Sequence, residues 1–105
     1  KSYKEANHAP QITVKEGMYV LAKAGAKLTL NVTSRDPDGN RVKLKVWPYP
    51  EVGSGKADAT LVEGRLQVTL PSSAKKGETY HVVVEGTDTG SPALTRYRRV
   101  VVTIY

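Results

Sequence analysis

Three sets of side chains in this sequence have types and spacings that suit chemistry. The first is aromatic and basic: Trp47, Tyr49, His81, Tyr97 and Arg99 stand on strand-like segments, at parities that turn them to one surface. Rings flanked by polar groups stack on the C–H faces of sugars. Trp, Tyr and Arg are equally the anchors by which one protein surface docks on another. The second set is rich in oxygen: Asp36, Asp38 and Asn40 within Asp36-Pro37-Asp38-Gly39-Asn40, with Asp88 in a later loop and Asn7 near the start. Calcium is the candidate cofactor for such groups, since it takes about six to eight hard oxygens. The loop is not an EF-hand, because its glycine stands fourth and Trp47 occupies the place of the closing glutamate. The same aspartates also suit Asx-type turns, which need no metal.

The third set is Asp88-Thr89-Gly90-Ser91, the D-T-G-S signature of aspartic proteases. That chemistry needs two such aspartates sharing a proton. Here the motif occurs once, and the residues after it are consumed by one strand, so it reads as a hairpin loop. Nucleophilic catalysis lacks its parts: there is no cysteine, and the two histidines are His8 and a mid-strand His81. No catalytic residue is assigned, and no enzyme activity is expected.

Positioning these groups falls to β-structure. Thr79–Thr87 and Leu94–Tyr105 are β-branched runs around a loop of Asp88, Thr89, Gly90, Ser91, Pro92 and Ala93, which predicts a β-hairpin with a long or central second strand. Tyr80, Val82, Val84 and Gly86 share one face of its first strand; Val100, Val102 and Ile104 share one face of its second. Upstream, Gln11–Lys15, Met18–Ala22, Ala26–Ser34, Arg41–Tyr49, Ala57–Val62 and Arg65–Leu70 are further short strands. Dense turn signals such as Asp36-Pro37-Asp38-Gly39 and Glu63-Gly64 separate them. No segment holds a helical period. Seven or eight short strands predict an all-β, immunoglobulin-like antiparallel sandwich over 10–105, of the cadherin and polycystic-kidney-disease-domain kind, with 1–9 as a linker. Its core pairs Val42/Leu44/Val46, Val82/Val84 and Val100/Val102/Ile104 against Leu28/Leu30/Val32 and Leu66/Val68/Leu70. Tyr80 stands where such sandwiches place a tyrosine corner.

The 105 residues fit one domain, and the absence of cysteine leaves no disulfide to support it. No apolar run approaches the roughly 18 residues of a membrane span. The net charge is +6, but the lysines are scattered and only Arg96, Arg98 and Arg99 cluster. That pattern protects strand edges better than it reads nucleic acid, so neither a membrane nor a nucleic-acid partner is expected. Asn31-Val32-Thr33 has the form of a glycosylation acceptor but lies within a strand. The chain opens on Lys1, which reads as the start of a fragment of a longer protein.

N-H-A-P at 7–10, D-P-D-G-N at 36–40, V-W-P-Y-P at 46–50 and D-T-G-S-P-A-L-T-R-Y-R-R-V-V-V-T-I at 88–104 resemble one bacterial family. It is the C-terminal immunoglobulin-like domain of nucleoside-hydrolase-like proteins, often described as cellulose-binding. The resemblance runs from Asn7 to Tyr105, and the final run is its most specific part. It implies a secreted or periplasmic protein with a hydrolase-like domain upstream. On that basis the first expectation is an accessory module that packs on or positions the hydrolase-like domain. The second is a polysaccharide-binding module, with cellulose the named candidate. If Val42, Leu44 and Val46 face the core, Trp47 points outward, and replacing it should cost less than about 1 kcal/mol of stability. A bulge would instead turn Trp47 inward.

Overall fold

The computed structural model describes residues 8–105, so most of the segment read as a linker, and Asn7 with it, lies outside the described residues. Eight strands follow one another: β1 Gln11–Val14, β2 Tyr19–Ala22, β3 Lys27–Arg35, β4 Val42–Pro48, β5 Asp58–Val62, β6 Arg65–Thr69, β7 Thr79–Asp88 and β8 Thr95–Ile104. The one helical piece among the described residues is a 3₁₀ turn at Pro50–Val52, where Pro50 presets the first φ. Among the described residues no helix is long and apolar enough to cross a membrane.

The strands form two four-stranded sheets, ordered β1-β3-β6-β5 and β2-β8-β7-β4. Period-two alternation decides which side of each is buried. In β6, Leu66 and Val68 are buried while Arg65, Gln67 and Thr69 are exposed. Leu66, Val68 and Leu70 from one sheet meet Val82, Val84, Val100 and Val102 from the other, and all seven are essentially inaccessible to solvent. Each such side chain stabilises the fold by roughly 1.5–3 kcal/mol relative to exposure. Ile12, Val14, Leu30, Val32 and Ile104 extend that core, with Leu28, Leu44 and Val46 packed against it. The architecture is an immunoglobulin-like sandwich, and β8 is ten residues long and central, flanked by β2 and β7.

One pairing departs from the expected antiparallel pattern. β2 runs parallel to β8, with Tyr19 opposite Val101 and Ala22 opposite Ile104. β1 and β2 are consecutive yet lie in different sheets, because the chain crosses at the Glu16-Gly17 turn. Gly17 has φ 91 there, a conformation that a side chain resists, and its N–H closes the turn on the Val14 carbonyl at 2.9 Å. Having left the first sheet, the strand arrives beside β8 in the same direction. The turn is clamped from outside: the Glu16 carboxylate accepts from Asn31 N–H at 2.7 Å and from its side-chain amide at 2.8 Å. Those bonds hold the Glu16 carboxyl below its ordinary pKa, with the backbone bond from Asn31 the largest cause. They also engage the amide of the Asn31-Val32-Thr33 triplet.

The tyrosine-corner expectation needs correction. Tyr80 is buried, but its hydroxyl donates to the Glu78 carboxylate at 3.1 Å instead of to an upstream backbone carbonyl. Burial, then that carboxylate, pushes the phenol above its ordinary pKa.

Candidate functional site

The outer face of the β2-β8-β7-β4 sheet carries the odd-numbered residues of all four strands. Register places Trp47 beside Val83 and Val83 beside Arg99, while Lys45, Glu85 and Tyr97 form the next row. Pro48 ends β4 without donating to the ladder, and Pro50 opens the 3₁₀ turn. Tyr49 between them is tied by its N–H to the His81 carbonyl at 2.8 Å. The result is an open cleft of about 460 Å³ lined by Trp47, Tyr49, Val83, Tyr97, Arg98 and Arg99. Trp47 and Tyr97 meet edge to face, with ring centroids 6.2 Å apart and planes at 74°. This geometry uses the positive ring edge against the negative ring face, and it fixes a corner in place of a flat platform.

Trp47 is therefore on the outer face and half-buried, outside the core cluster; no bulge turns it inward. Tyr97 is 56% exposed and Tyr49 36%, so the cleft walls are open to a ligand. Four of the five residues singled out in the sequence line one site. His81 does not. Its ring lies under the loop that follows the 3₁₀ turn, where Gly53 passes so close that a methyl there would fall 2.8 Å from His81 Cδ2 and 2.7 Å from the Thr79 carbonyl oxygen. Only a residue without a side chain fits that approach. Ser54 secures the loop, its N–H donating to the Thr79 carbonyl at 2.7 Å and its hydroxyl accepting from Thr79 N–H at 3.0 Å. Burial, and secondarily the Arg99 charge, holds the imidazole below its ordinary pKa.

Two lining residues were not among those the sequence singles out, although Val83 falls on the expected outer face. Val83 has the right parity, but nothing in its type marks it as a site residue. Arg98 has the opposite parity from Arg99 and should face the core side. It is half-buried and is among the lining residues, on the part of β8 that precedes its pairing with β2 at Val101. Its Nη1 donates weakly to the Tyr97 carbonyl at 3.4 Å. Toward the other end of the sheet, Tyr19 (83% exposed) and Leu21 (66%) form a second, apolar strip that the sequence did not assign to this face.

The oxygen-bearing loops lie side by side at one end of the sandwich, where Thr89 N–H donates to the Arg41 carbonyl at 3.0 Å. Their carboxylates are largely committed. Asp38 accepts from His8 N–H at 2.6 Å and pairs with its ring nitrogen at 3.0 Å, bonds that hold the Asp38 carboxyl below its ordinary pKa. Asp36 Oδ1 accepts from Asp38 N–H at 2.9 Å, which is an Asx turn. Asp88 Oδ1 accepts from Gly90 and Leu94 N–H, each at 3.0 Å, and so clasps the D-T-G-S loop. The second oxygens of Asp36 and Asp88 are buried and lack a hydrogen bond. Among the described residues no group of three or more acidic, histidine or cysteine side chains gathers for a metal. Asp36, Asp38 and Asp88 act here as turn and loop anchors.

Residues 27–104 match the family described as "Cellulose-binding protein Sde0182, C-terminal domain". No curated protein matches the chain. Among solved structures it is similar to a nucleoside hydrolase-related hypothetical protein from Saccharophagus degradans associated with carbohydrate metabolism, at 33% identity and a TM-score of 0.87. That alignment covers 99% of this chain and 27% of the other, so the chain spans about a quarter of that relative's length. A chimeric titin Z1Z2 aligns at 16% identity and a TM-score of 0.48, covering 95% of this chain and 97% of that one. The chain belongs to the family of the C-terminal domain of cellulose-binding protein Sde0182.

Proposed function

We propose that this domain is a noncatalytic accessory module that holds a polysaccharide chain in the cleft lined by Trp47 and Tyr97. The observation that carries the reading is the corner itself: two rings meeting edge to face in a cleft also lined by Val83, Arg98 and Arg99. A cleft of about 460 Å³ is of the size that takes a small ligand or a few sugar units. Sugar C–H faces pack on the rings while hydroxyls meet the arginines. The family's description as cellulose-binding agrees with this use. A noncatalytic role is supported by the chemistry of the remaining candidates. His81 is covered by Gly53, and Asp88 spends one oxygen on its own loop.

A second reading has its own observation. Tyr19 and Leu21 expose an apolar strip on the same sheet, away from the cleft. A hydrolase-like domain of a longer chain is the partner that suits it, because the Saccharophagus relative is nucleoside hydrolase-related and extends far beyond this domain. The two readings use different residues and are compatible. Sedimentation of the isolated domain with insoluble polysaccharides separates them. Retention by this domain alone supports the cleft, and retention that requires a hydrolase-like domain in the same chain would remove it.

A further inference from the structure

We propose that the saccharide taken by this cleft is acidic: a uronate-bearing chain whose carboxylate lies against Arg98 and Arg99. The proposal rests on the cleft being a saccharide site and names the class it selects. Two of the six lining residues are arginines and none is acidic. Among the described residues neither guanidinium makes an ion pair, and Arg99 is exposed. The surrounding face repeats the sign. Lys43 and Lys45 are exposed on the outer side of β4, while Glu85, the acidic residue of that face on β7, stands opposite Lys45 in register. The whole chain carries +6. A planar guanidinium binds a carboxylate through two parallel hydrogen bonds, stronger than those it makes to neutral hydroxyls. A neutral glucan would gain the ring contacts and leave both charges uncompensated.

Single-stranded nucleic acid also combines anions with stacking surfaces, but it uses successive open ring faces along a groove. Here the two rings stand at 74° and form one corner, which suits a single pyranose better than a run of bases.

Affinity electrophoresis or calorimetry with four probes tests the assignment: polygalacturonate, the same chain fully methyl-esterified, cellohexaose and poly(dT). Polygalacturonate should bind at least about tenfold more tightly than its ester, the difference expected for a charge-assisted pair. The double variant Arg98→Gln/Arg99→Gln, and to a lesser extent Arg99→Gln alone, should bring polygalacturonate down to the level of the ester. Lys75→Gln/Lys76→Gln removes the same charge from a distant turn and should keep the preference, which excludes a general polyanion effect. Melting midpoints of all variants establish that they are folded. Equal binding of the ester, stronger binding of cellohexaose, or a preference that survives loss of both arginines would overturn the acidic assignment while leaving a saccharide site. Binding of poly(dT) with no saccharide bound, or binding of none of the four, would overturn both.

Discussion

Replacing Trp47 with alanine is expected to weaken saccharide binding by roughly 30-fold or more, which corresponds to about 2 kcal/mol at a central contact. The indole forms one wall of the cleft and also fixes the other, because Tyr97 meets it edge to face. Losing it removes both a stacking surface and the constraint on its neighbour. Stability should fall by about 1–2 kcal/mol, more than a fully exposed ring would lose and less than the roughly 3–5 of a buried one. Parity alone suggests a smaller cost. The structure raises it, because Trp47 is half-buried against Val83 and Tyr97. The two effects are read separately, by denaturant midpoint and by binding at a temperature where both proteins are folded. A variant that binds as well as the parent would leave the aromatic corner without a function.

Replacing Asp88 with alanine is expected to cost about 2–4 kcal/mol of folding stability, the largest loss expected from any polar side chain in the domain. One carboxylate oxygen satisfies two loop N–H groups, Gly90 and Leu94, and the residue is 3% exposed. Truncation leaves both donors unpaired near the end of the β7–β8 hairpin. Removing the unpartnered Oδ2 returns part of that cost, so the loss stays below the sum of two charged hydrogen bonds. Asp88→Asn keeps an oxygen acceptor and should lose about half as much. The check is urea unfolding of the three proteins at constant pH. A loss below about 1 kcal/mol for the alanine variant would mean the loop is held by other contacts. The same scans in calcium and in chelator should give coincident midpoints; a rise in calcium would assign the free oxygens to a cation.

The strands were legible because each carries a two-residue alternation of β-branched and polar types. Lys27–Arg35 and Arg65–Thr69 declare their buried sides residue by residue. Alternation also placed Trp47, Tyr97 and Arg99 on one face, since a face is a property of the strand itself. It says nothing about neighbours. The parallel pairing of Tyr19–Ala22 with β8 depends on where the chain crosses after Gly17, and so the exposed Tyr19 and Leu21 were not assigned. Arg98 was missed because parity assigns it to the other side of β8, yet it is among the residues lining the cleft. His81 stands on the outer face as its parity has it, but parity cannot foresee a loop folding over a strand, and the signal that existed was the small Gly53-Ser54-Gly55 run. Aspartates in a turn look alike in sequence whether they bind a cation or their own backbone, and the backbone bonds of Asp36 and Asp88 could not be read from residue types.

Backbone NMR of the isolated domain, titrated with galacturonate oligomers and with cellohexaose, tests whether the Trp47–Tyr97 cleft is where it holds a saccharide. The Trp47 indole N–H and the amides of Val83, Tyr97, Arg98 and Arg99 should shift progressively with ligand, while Tyr19 and Leu21 on the same sheet stay fixed. Shifts centred on Tyr19 and Leu21, or no shifts with any saccharide, would contradict it.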